Sequence, residues 1–137
     1  MRHTRRLAAL VLFAMVTVEF GGWSLLGFLT SSDSLTPFEE QFFRAGHGHA
    51  GVLLVLALAF LLLLEKTSFQ PKTQMGLALT LLVGVLLQSG GFFLHLVLGE
   101  ERAASAGTYV TWAGAALLAI AMITAGVGLL GRDERTV

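Results

Sequence analysis

The chain contains no cysteine. That excludes disulfides, thiolate metal ligands, iron–sulfur clusters and covalently attached c-type haem. It is also poor in charge, with 13% of its 137 residues being Asp, Glu, Lys or Arg, nine acidic against nine basic. A soluble domain of this size needs a charged shell, and this one has too little to cover its apolar surface. The basic residues form no tract, so nothing points to nucleic acid as a partner. There is no internal repeat and no low-complexity segment.

What the chain does have is apolar sequence. Hydrophobic residues make up 55%, and the mean hydropathy is +0.76. Four runs, at about 7–30, 46–64, 73–98 and 107–130, are each long enough to cross a bilayer as a helix. The fold expected is all-α: one integral membrane domain over 1–137, an antiparallel four-helix bundle with the lipid bilayer as its surroundings. Little chain remains for a soluble catalytic module. Arg2, Arg5, Arg6, Lys66, Lys72, Arg132 and Arg135 fall on one side of this arrangement, and Arg44 and Arg102 on the other. By the positive-inside rule both termini are cytoplasmic, in a multi-pass protein of the bacterial-type cytoplasmic membrane. The first run is read as a membrane helix rather than a signal peptide. It is long, contains Glu19, and lacks a small-x-small cleavage site.

Between the runs, Ser31-Ser32-Asp33-Ser34 is a polar exit. Thr36-Pro37-Phe38-Glu39 has the form of a helix start, with a capping threonine, proline at the first helical position and a glutamate placed to return a hydrogen bond. Phe38, Phe42 and Phe43 alternate with polar residues from there to Arg44. A short interfacial helix before the second span accounts for that pattern, and so does a plain extension of the span. Pro71 fits the start of the third helix, and Gly131 a helix stop before a solvated tail. The short connections at 65–72 and 99–106 force successive helices to run antiparallel as neighbours. The fourth run is rich in glycine and alanine, which lets helix backbones approach closely in lipid and suits a homodimer face as well as internal packing.

The third run carries Gly76, Thr80, Gly84, Gln88, Gly91 and His95 on a single face, an arc of about 120° at roughly 100° per residue. Such a stripe must look into the bundle, because Gln or His facing hydrocarbon would lose its hydrogen bonds. His95 lies near the outer end of its run, while His47 and His49 lie near the outer start of the second. The three imidazoles are therefore expected at one level. Glu19 and Gln88 are each near mid-span, about 15 Å from either side. Two polar tiers follow: histidines toward the outside, and Glu19 with Gln88 at the midplane. A carboxyl group inside a membrane is expensive, and marks a functional site unless it serves as hydrogen-bonded glue.

His47-Gly48-His49-Ala50-Gly51 is the densest local motif. On a regular helix the two imidazoles point about 200° apart and cannot chelate one metal side by side. Gly51 and Ala50 share the side of His47, which makes His47 the inward residue and turns His49 to headgroups or another subunit. The cofactor expected first is haem b, which needs one or two neutral imidazoles and flat space. Gly21, Gly22, Gly46, Gly48, Gly51, Gly90 and Gly91 would supply that space. Copper, zinc or iron held by His47, His49 and His95, helped by Glu39, Glu40, Glu100 or Glu101, is the second option. Gln88 and Glu19 would then stand behind the ligands or handle protons. Trp23, Tyr109 and Trp112 form the ordinary aromatic belt, or wall a cofactor pocket.

The run His47-Gly48-His49-Ala50-Gly51-Val52-Leu53-Leu54, ending in Leu64-Glu65-Lys66, resembles the second helix of small uncharacterised bacterial four-helix membrane proteins with an H-x-H motif. That helix is in turn similar to histidine-bearing helices of haem–copper oxidase subunit I. The resemblance covers one helix of four and implies haem or metal ligation by His47 or His49. It implies no oxygen reduction, because the chain is far shorter than subunit I and lacks the full histidine set. Three functions are therefore expected in turn: a redox or sensing protein holding a cofactor, alone or as a subunit of a larger membrane complex; a small proton-coupled transporter or lipophilic-ligand binder using Glu19; or a structural accessory subunit.

Overall fold

A computed structural model describes residues 2–31 and 35–131, with side chains from Thr4 onward. The Ser32-Asp33-Ser34 exit, the His3 side chain and the tail with Arg132 and Arg135 lie outside the described residues. Four helices make up the fold: α1 (Arg2–Thr30), α2 (Pro37–Leu64), α3 (Pro71–Leu98) and α4 (Ala106–Leu130). Each is long and apolar enough to cross a membrane, and the described residues include no strand.

The chain turns where its sequence says it should. Thr36 caps α2 through a reciprocal pair: the Glu39 amide donates to Thr36 Oγ1 at 3.3 Å, and the Thr36 amide donates to Glu39 Oε2 at 2.8 Å. Pro37 and Pro71 occupy first-turn positions, where a missing N–H costs nothing. α2 is one continuous helix of 28 residues. At 1.5 Å per residue that is about 42 Å, against about 30 Å of hydrocarbon. The stretch carrying Glu39, Glu40 and Arg44 is thus an extension of the span. Arg44 and Glu40 close an ion pair of 2.7 Å on its surface.

Neighbours pack antiparallel in chain order. Val18 meets Gly51 across α1 and α2, Phe43 meets Phe93 across α2 and α3, and Gly91 meets Gly107 across α3 and α4. Among the described residues α1 touches α2 and the edge of α3 but not α4, so the bundle is open on one side. The α1 span is only 11% buried, compared with 28%, 33% and 28% for the others, which makes it a peripheral helix leaning on α2.

The two halves of the bundle differ. The apolar core (Leu53, Ala57, Leu61, Leu64, Ala78, Leu81, Val85, Leu118, Ala121 and neighbours) fills the half nearer the α2–α3 turn. The half nearer the α3–α4 connection, the histidine end, holds the imidazoles, the phenylalanines and the glycine contacts. Along its whole length α4 presents Gly107, Gly114, Ala121 and Gly128, all buried and seven residues apart, from the histidine end to Phe69 at the α2–α3 turn. Gly107 and Gly114 lie against the α3 backbone at Gly91–His95 and Gly84–Gln88, leaving no room for a side chain. This is dispersion-held packing of small residues, the principal way two helices attract in lipid.

Candidate functional site

α2 stands between α1 and α3, so both of its faces are covered and its two histidines go to different neighbours. His47 faces α1. Its imidazole lies on the Gly21-Gly22 backbone, so close that a methyl group at Gly22 would sit 3.1 Å from Cε1 and Nε2. The glycine pair is what lets the ring come this close to α1.

His49 faces α3 rather than headgroups or another subunit, which corrects the sequence expectation. Its ring is 4.6 Å from that of Phe92, and its Nδ1 donates to the Ala45 carbonyl at 2.8 Å. A carbonyl can only accept, so in the neutral ring Nε2 carries the free lone pair. The 200° separation holds, but because α2 is the central helix the second histidine also finds protein.

His95 is buried, at 6% exposure. Its Nδ1 shares a 2.6 Å hydrogen bond with Ser105 Oγ and lies 3.3 Å from Thr108 Oγ1. Ser105 caps α4 with the same hydroxyl, accepting from the Gly107 amide at 3.1 Å. Phe42 covers the imidazole at 4.3 Å and Phe38 at 5.7 Å. Residues 99–106 are therefore more than a connection. Ser105 and Thr108 form a second capping box, as the S-x-x-T spacing could have signalled.

The three imidazoles share an end of the molecule but do not converge. His49 and His95 occupy the same α2–α3 seam with the rings of Phe92 and Phe42, 6.5 Å apart, between them. His47 is in the other seam. Among the described residues no cluster of three His, Asp or Glu side chains is arranged to hold a metal ion. The glycine space is open at Gly48 and Gly90 but closed elsewhere. Gly46 is filled by the Phe93 ring, Gly91 by the α4 backbone and Gly22 by His47. One iron bound by His49 and His95 together does not fit this packing, because two phenyl rings stand in its place. Either imidazole singly has the right chemistry, with Nδ1 engaged and Nε2 without a partner among the described residues. The buried hydroxyl of Ser89, one turn from Phe92, is likewise without a hydrogen bond.

The midplane pair divides in the same way. Thr111 Oγ1 donates to the Gln88 carbonyl at 3.4 Å, in the α3–α4 seam. Glu19 lies in the α1–α2 seam, and no hydrogen bond joins it to Gln88. Instead it shares a groove of about 380 Å³ with His47, walled by Val18, Gly48, Gly51, Val52 and Val55. The contacts of Val18 with Gly51 and of Gly22 with His47 put the carboxyl within about 5 Å of the imidazole's level, one helical turn. Glu19 is exposed on the outer surface of this groove and has no ion pair or hydrogen bond with any described residue. Gly48 has nothing within 4 Å of where a side chain would begin, so the groove floor is open. Trp23, Tyr109 and Trp112 are exposed and line neither histidine seam.

No protein-family model, curated protein or solved structure matches this chain.

Proposed function

We propose that the protein binds a lipid-soluble, hydrogen-bonding molecule in the groove between α1 and α2, with Glu19 and His47 as its polar contacts. The observation that carries this reading is the position of Glu19. A mid-span carboxyl group that faces lipid without a partner costs several kcal/mol, and proteins retain such groups where a partner arrives from outside. The apolar walls suit a hydrophobic body. The two titratable groups suit a head that both donates and accepts, with a proton passing between head and carboxyl as the ligand enters or leaves. A groove that opens sideways admits a ligand already dissolved in the bilayer.

Trp23, one turn along α1 from Glu19, is a built-in reporter. In a Trp112→Phe background, quenching of Trp23 by lipid-soluble phenols, quinones and amines measures binding. Glu19→Gln and His47→Gln each weaken the preferred probe about tenfold, the worth of one charge-assisted hydrogen bond. His49→Gln leaves it unchanged. Equal affinity in all four proteins rules the groove out.

One observation favours a second reading, a haem that His49 or His95 would hold singly. His49 and His95 each have Nδ1 fixed by a hydrogen bond, the arrangement that orients metal-bound histidines. Such a group would supply one-electron chemistry, as a redox or sensing protein requires. Purified protein would then show a Soret band that disappears in His49→Ala or in His95→Ala. The groove reading expects no such band.

A further inference from the structure

The α1–α2 seam has a second opening at the opposite end of the molecule. A cavity of about 740 Å³ lies between the first turns of α1 and the last turns of α2, with Ala8, Leu58, Leu61 and Leu62 among its walls and Arg5 and Glu65 on its lining. Its walls are leucine and alanine. Its mouth carries two opposite charges, Arg5 and Glu65, both exposed. They line one cavity, yet no ion pair joins them.

From this we infer a phospholipid site selective for a zwitterionic head with a primary ammonium group. The acyl chain fills the leucine-lined channel. The phosphate accepts from the Arg5 guanidinium, whose planar fork matches phosphate oxygens. The ammonium donates to the Glu65 carboxylate. Glu65 also caps the C-terminal end of α2, where the unpaired carbonyls of the last turn favour a cation. Each charge therefore meets its complement in one head group, in the order phosphate over α1 and ammonium over α2. A purely anionic head would satisfy Arg5 and leave Glu65 facing like charge. A choline head would offer Glu65 a cation without a donor. In the α3–α4 seam Gly107, Gly114 and Gly91 instead bring the two backbones into contact. The site is independent of Glu19 and His47, which lie further along the same seam.

The test is lipid retention by the full-length protein in native mass spectrometry, with phosphatidylethanolamine, phosphatidylcholine and phosphatidylglycerol of identical acyl chains at equal concentration. Phosphatidylethanolamine is retained about tenfold over either competitor, the discrimination expected of one charge-assisted hydrogen bond. Glu65→Gln brings it down to the choline level, and Arg5→Gln lowers all three. Arg44→Gln, at the other end of the molecule, changes nothing. Helical content by circular dichroism shows that each variant is folded. Phosphatidylglycerol retained above phosphatidylethanolamine means attraction to a basic surface alone. Equal retention of all three means a groove that reads only acyl chains. Either result overturns the proposal.

Discussion

The imidazole of His95 and the hydroxyl of Ser105 are 2.6 Å apart, and through that bond the last turn of α3 is tied to the first turn of α4. The same serine oxygen caps α4, and Phe42 of α2 covers the ring, so three helices meet on one side chain.

Ser105→Ala therefore removes a helix cap and leaves a buried imidazole nitrogen short of a partner. The expected loss is about 2 kcal/mol, the sum of a typical cap and a modest desolvation cost. Reversible unfolding in mixed micelles measures it. A double-mutant cycle of Ser105→Ala with His95→Phe should return a coupling above zero, reduced by whatever Thr108 Oγ1, 3.3 Å from the same nitrogen, takes over. Strict additivity would mean the bond contributes nothing.

Glu19→Leu is expected to stabilise the protein by about 2 kcal/mol, because an acid facing hydrocarbon near mid-span is among the costliest placements in a helix. The same unfolding titration reads this gain. It should accompany loss of probe quenching at Trp23, stability rising as binding falls. A destabilised Glu19→Leu would mean that the carboxyl group holds the bundle together.

Glycines that look alike in sequence should behave oppositely. Gly91→Ala places a methyl group against Thr111 and the Gly107 carbonyl, and overpacking of that kind costs about 1–3 kcal/mol. Gly126→Ala meets nothing within 4 Å and, inside a helix, should gain about 0.5–1 kcal/mol. Thermal shift of the two variants side by side is sufficient.

Arg102 occupies the left-handed region, with φ at 61°. A side chain there is strained where glycine is not, so Arg102→Gly should stabilise the α3–α4 connection by about 1 kcal/mol. Arg102→Val, with a branched β-carbon, should do the reverse. The same melting experiment decides both.

The helices could be read from the sequence because lipid leaves few choices. A span needs about 20 apolar residues whose backbone groups bond within the segment, and Thr36-Pro37 and Pro71 mark where two of them begin. Depth was legible only in part: Glu19 lies near mid-span as expected, but α2 begins at Pro37 rather than near 46, so His47 and His49 sit near the middle of their helix and His47 within one turn of Glu19, and the two expected tiers merge. Rotation was not. α2 is apolar all round and covered on two sides, so its pattern cannot say which neighbour receives His47 and which His49. The stripe on α3 turns Gly84, Gln88 and Gly91 toward α4 and sets His95 between Ser105 of the α4 cap and Phe42 of α2, while Gly76 at its other end is exposed. The signal for that seam is the seven-residue spacing of Gly107, Gly114, Ala121 and Gly128, which composition alone does not reveal. The outward turn of Glu19 follows from α1 standing at the rim, and no local pattern in α1 marks it as peripheral.

Because α1 leans on α2 and meets α3 only at its edge, its swing away from α2 should be the softest deformation the molecule has. α2, α3 and α4 keep their mutual contacts when it moves. The width of the crevice is then a mechanical variable, set by how firmly surrounding lipid presses the first helix home. A thin or stretched bilayer should loosen it and a thick, ordered one should shut it, so binding in the proposed groove, tested with Trp23, should weaken or strengthen with membrane tension.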